Sequence, residues 1–79
     1  MKTEKSDKQK AIMNIKRYLS VFRKGDSFYG LSLAGYVRER IGRPQMFEST
    51  VLRYMRELRE SGEINYKVKN RRESEYIKL

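Results

Sequence analysis

At 79 residues, with 19 lysines and arginines against 10 acidic residues, the chain has a formal charge of +9 and contains neither cysteine nor histidine. That excludes a disulfide framework and a zinc-thiolate site, leaves carboxylates as the strong metal ligands, and limits burial on folding to roughly 60 to 65 % of the unfolded surface. The opening MKTEKSDKQK lacks the apolar run of a signal peptide and no stretch of about 18 apolar residues occurs, which predicts a soluble, cytoplasmic chain with no membrane association.

Residues 1–6 read as a disordered basic tail and residues 7–79 as one domain. Ser6 precedes Gln9 by three positions, the spacing at which each side chain satisfies the other residue's backbone N–H, so a helix is expected to begin there. Ile12, Ile15, Leu19 and Phe22 follow at intervals of three and four on one face, and Gly25, preceded by the cations Arg23 and Lys24, is the expected stop. Residues 27–29, with two adjacent aromatics, read as a short extended segment at a sheet edge. A second helix is expected from Leu31, with Leu33, Val37 and Ile41 in register and Gly42 then Pro44 closing it. Gly35 inside it costs up to about 1 kcal/mol relative to alanine, and either permits the approach of another helix or is simply tolerated.

The third helix is expected to start at Phe47, burying Val51, Met55 and Leu58 and turning Ser49, Arg53, Arg56 and Glu60 outward. Gly62 ends it. EINYKV then alternates Ile64, Tyr66 and Val68 on one half-buried strand face, SEYIKL forms a second strand, and KNRRE between them predicts a hairpin with a mobile basic tip. Among the aromatics, Phe22, Phe28, Phe47, Tyr54 and Tyr66 are assigned to the core, and Tyr29, Tyr36 and Tyr76 are candidates for exposure.

Charge is unevenly placed. Residues 1–25 hold eight basic groups against two acidic, residues 26–42 two against two, and residues 43–72 eight against four, so two basic segments flank a neutral one. A polyanion is the partner such a distribution favours. No histidine, cysteine, glycine-rich phosphate loop or spaced carboxylate pair is present, so no enzyme, metal site, cofactor or small-molecule ligand is expected.

Helix, short strand, two helices and a terminal hairpin make an α+β, mainly α, order. The stretch STVLRYMRELRESGEINY resembles the third helix and first wing strand of the winged helix-turn-helix superfamily, and SLAGYVRERIG resembles the preceding helix. The resemblance covers roughly residues 8–79 and specifies no family within the superfamily. Phe47 stands where a small N-cap residue is common, and the extra dimerisation helices of several regulator families are missing. The resemblance implies three helices followed by a C-terminal β-hairpin wing, the third helix in a DNA major groove and the wing on the flanking backbone or minor groove. Carried onto this chain, it makes Ser49, Thr50, Arg53 and Arg56 the groove-facing set and Lys67, Lys69, Asn70, Arg71 and Arg72 the wing set.

The side-chain chemistry agrees with that assignment. Arginine offers two parallel N–H donors to guanine, worth roughly 1 to 3 kcal/mol of base discrimination, with Arg53 the leading candidate. Ser49 and Thr50 lie near a helix N-terminus, where hydroxyls and free N–H groups hold phosphate. The plainer alternative is that Arg53 and Arg56 pair with Glu57 and Glu60 on a solvated helix face, at about 0.2 to 0.5 kcal/mol each. The leading expectation is sequence-specific binding of double-stranded DNA by a small transcriptional regulator, with pairing of two copies on DNA left open. The alternatives are a protein-protein interaction module docking an acidic partner, and binding of RNA or single-stranded nucleic acid through exposed tyrosines. The leading expectation requires Arg53 and the 67–72 tip to project from one side of the molecule.

Overall fold

Ser6 caps the first helix as its spacing requires: its Oγ accepts from the Gln9 backbone N–H at 3.1 Å, and Gln9 Oε1 accepts from the Ser6 N–H at 3.1 Å. The computed structural model describes residues 6–43 and 45–79, so the expected disordered tail, apart from Ser6, lies outside the described residues, as does Pro44, read above as closing the second helix.

Helix α1 runs over Asp7–Ser20 and stops five residues before Gly25. The end is reinforced from the far end of the chain. Lys78 Nζ donates to the Leu19 and Phe22 carbonyl oxygens at 2.8 Å each, placing a cation on the negative helix end. Arg23 N–H donates to Asp26 Oδ2 at 2.8 Å, closing a turn in which Gly25 adopts φ +95° and donates to the Lys78 carbonyl at 2.7 Å. Gly25 thus shapes the entry to the sheet rather than the helix terminus.

Strand β1, Ser27–Tyr29, leads directly into α2, Gly30–Ile41, which ends on left-handed Gly42 (φ +71°) with the Arg43 N–H closing on the Arg38 carbonyl at 3.0 Å. Helix α3 spans Glu48–Glu60 and closes in the same way, with Gly62 at φ +83° and Glu63 N–H on the Leu58 carbonyl at 3.0 Å. Strands β2, Tyr66–Asn70, and β3, Glu75–Lys78, form the hairpin. The sheet is antiparallel in the order β1-β3-β2, with Phe28 opposite Tyr76 and Val68 opposite Tyr76 on the other side. The protein is therefore a small α+β domain, mainly α, of three helices and a three-stranded antiparallel sheet. Among the described residues no helix is long and apolar enough to cross a membrane.

The core gathers Ala11, Ile15 and Leu19 of α1, Leu33, Ala34 and Val37 of α2, Val51, Met55 and Leu58 of α3, and Phe28 and Tyr66 of the sheet. Two expectations are corrected. Phe47, assigned to the core, is 75 % exposed, because it is the N-cap residue and its side chain leaves the helix before the buried stripe begins. Ile64 packs against the core but precedes β2, and Val68 is 43 % exposed, because on the edge strand β2 it faces an open cleft beside α3 rather than the core. Of the two readings of Gly35, the structure bears out the second: a Cβ there meets nothing within 4 Å, so the glycine is simply tolerated. The glycine that close packing requires is Gly30, where a Cβ would stand 2.9 Å from Leu52 Cδ2, 3.3 Å from Ser74 Cβ and 3.3 Å from Tyr76 Cε2.

Candidate functional site

The amphipathic division of α3 directs its outer face toward the hairpin. Between them lies an open cleft of about 550 Å³, lined on the helix side by Ser49, Arg53, Arg56 and Arg59 and on the hairpin side by Val68, Arg71 and Tyr76. Arg53, Arg56 and Arg71 are exposed, and none of the three forms an ion pair among the described residues. The expected helical pairs of Arg53 with Glu57 and Arg56 with Glu60 are not formed; Glu57 instead meets Lys8 of α1 at 3.0 Å. Three guanidinium groups with unspent donors therefore converge on one concave surface. Arg53 is steadied by the neighbouring Tyr54 ring, 5.5 Å from its guanidinium carbon.

Arg59 has a different role. Its guanidinium lies 4.5 Å from the Tyr66 ring centroid and donates to the Tyr66 carbonyl at a long 3.5 Å, so its charge is held against the junction of α3 and β2. Burial pushes the Tyr66 phenol above its ordinary pKa, and Arg59 partly offsets this. Tyr66 in turn meets Tyr76 edge to face at 5.4 Å, and Tyr76 stacks on Phe28 at 5.6 Å. The cleft floor is thus an aromatic continuation of the core.

The expected wing set is divided. Arg71 lines the cleft and Arg72 is exposed at the tip. Lys67 lies between Tyr66 and Val68, so strand alternation turns it to the opposite face of the hairpin. Lys69 sits at a break in the β2–β3 register and pairs with Glu75 at 3.3 Å. Asn70 Oδ1 accepts from the Glu73 N–H at 3.3 Å and holds the turn, in which Ser74 takes φ +52°. The turn is also tied to α2, since the Gly30 N–H donates to the Ser74 carbonyl at 2.7 Å.

On α3 the expected set divides too. Ser49 lines the cleft, whereas Thr50 is half-buried beside a separate recess with Asp7, Arg43 and Phe47. Helix geometry explains the split. At about 100° per residue from Val51, Leu52, Arg56, Ser49 and Arg53 fall between about 100° and 200° and Arg59 near 80°, while Thr50 falls near 260°. The same arithmetic places Arg59 on the cleft side, so its presence was legible in the helical spacing; the contributions of Tyr66, Val68 and Tyr76 were not, because they depend on how the hairpin docks.

The tyrosines considered for base stacking have occupied rings: Tyr76 as described, and Tyr36 by Tyr18 at 5.1 Å and by Arg40 at 4.9 Å. Tyr29 is 44 % exposed. No family model, curated protein or solved structure matches this chain.

Proposed function

We propose that this chain is a winged helix-turn-helix protein that binds double-stranded DNA sequence-specifically, as a small transcriptional regulator. The observation that carries the reading is the convergence of Arg53 and Arg56 from α3 with Arg71 from the hairpin on one cleft, each without a carboxylate partner among the described residues. Supporting it are the helix order and the sheet order β1-β3-β2, which suit a third helix entering a major groove with the hairpin alongside as a wing. In this reading Arg53 and Arg56 meet base edges, Ser49 and the free N–H groups at the start of α3 meet a phosphate, and Arg71 and Arg72 grip the flanking strand.

Duplex is favoured over unpaired strands because the cleft tyrosines spend their ring faces on each other and on Phe28. The deciding experiment is fluorescence anisotropy with random and selected duplexes. Binding that weakens steeply with salt and improves on selected sequence supports the reading. An absence of duplex binding near about 50 mM salt overturns it in favour of an acidic protein partner.

A further inference from the structure

Lys10, Arg17 and Arg40 form a second cationic surface that shares no lining residue with the α3 cleft. Ala11, Ile15 and Leu19 define the buried side of α1. At about 100° per residue, Lys10 and Arg17 fall within about 40° of the diametrically opposite direction. Near the end of α2, Arg40 completes a recess of about 270 Å³ with these two and Asn14, and no carboxylate lines it. All three cations are exposed, and the Arg40 guanidinium is steadied 4.9 Å from the Tyr36 ring centroid. The contrast along α1 is informative. Lys8 and Lys16, which reach toward α3 and the turn after it, meet Glu57 and Glu63, whereas Lys10 and Arg17 have no ion pair among the described residues. Charge on this helix is compensated where it meets the rest of the molecule and uncompensated on its outer face.

We propose that this outer face binds the phosphate backbone of a second nucleic-acid segment, so that one copy of the protein bridges two duplexes, the first lying in the α3–hairpin cleft. The proposal rests on the duplex reading above. A phosphate backbone fits this face better than an acidic protein does, because a stable protein interface needs a buried apolar centre and Met13 is the one large apolar side chain lining the recess. Three cations here contribute a salt dependence of their own, with a slope of about −2.7 in log affinity against log salt.

The test is capture of a labelled duplex by a bead-bound duplex, run beside anisotropy on a single short duplex. Two variants are compared with the unmodified chain: Lys10→Gln with Arg17→Gln and Arg40→Gln, and Arg53→Gln with Arg56→Gln and Arg71→Gln, with circular dichroism confirming that both fold. Expected are retained single-duplex binding and a roughly tenfold or greater loss of capture in the first variant, and residual duplex binding in the second with a slope near −2.7. Capture by the first variant equal to that of the unmodified chain overturns the proposal and leaves the cleft reading standing. Failure of the unmodified chain to bind any duplex overturns both. Two further results would also overturn it: sedimentation showing that the unmodified chain bridges as a dimer disrupted by the first variant, or the second variant binding polyglutamate but no duplex.

Discussion

The guanidinium of Arg59 rests 4.5 Å from the Tyr66 ring and donates to the Tyr66 carbonyl, joining the last turn of α3 to the first residue of β2. The contact joins helix to hairpin at the base of the cleft that Arg53, Arg56 and Arg71 share. Arg59→Ala is expected to cost about 1 to 2 kcal/mol, from the lost cation–π contact and the exposed Tyr66 edge, in a urea denaturation series.

Alkaline titration reads the same contact independently. Burial raises the phenols of Tyr18 and Tyr66 above their ordinary pKa, so the folded state holds these protons more tightly than the unfolded chain does. Their contribution to stability is fully present below about pH 10 and is lost as pH rises through the folded-state values. Phenolate absorbance should therefore show Tyr18 and Tyr66 ionising above the ordinary phenol range. Tyr66→Phe should remove one of the late pair.

Gly30 and Gly35 lie in one helix and are expected to respond oppositely to alanine. At Gly30 a Cβ would press on Leu52, Ser74 and Tyr76, so Gly30→Ala should destabilise by about 1 to 3 kcal/mol. At Gly35 nothing stands within 4 Å, and Gly35→Ala should stabilise by about 0.5 to 1 kcal/mol through helix propensity. Chemical denaturation of the two variants separates the outcomes by sign.

Lys78 caps a helix that begins 71 residues before it, its ammonium bonded to the Leu19 and Phe22 carbonyl oxygens. Lys78→Met keeps most of the side-chain volume and removes the charge. It should lower stability by about 1 to 3 kcal/mol, with amide exchange accelerating first at the C-terminal turn of α1.

For the proposed duplex, the four cations left to the cleft and tip, Arg53, Arg56, Arg71 and Arg72, give a slope of at most about −3.6 in log affinity against log salt. Arg53→Ala should flatten sequence preference. Arg71→Ala combined with Arg72→Ala should weaken all sequences alike and reduce the slope by about two. An unchanged preference after the Arg53 substitution would remove it from the base-reading set.

Much of the architecture could be read along the chain because it is encoded within a few residues. The Ser6–Gln9 box spans three positions, the Val51, Met55 and Leu58 stripe spans seven, and Gly42 and Gly62 end helices through bonds to residues of the preceding turn. Helical periodicity alone likewise turns Arg53 and Arg56 outward. What such patterns lack is information about which distant segment arrives at a given face. The end of α1 escapes local pattern because Lys78 bonds to it from the far end of the chain, and Phe47 and Val68 escape it because one leaves the helix at its N-cap and the other faces an open cleft.

The candidate site shows the same division. Residue type and local spacing determined that the protein carries outward arginines on its third helix and a basic turn after it. The antiparallel order β1-β3-β2, the anchoring of Ser74 to Gly30 and the contact of Arg59 with Tyr66 decided that Arg71 shares a cleft with Arg53 while Lys67 faces away and Lys69 answers Glu75. The reason is physical: helix and turn preferences act over three or four residues, whereas a shared surface exists only after long-range strand pairing and core packing have fixed the angle between two elements.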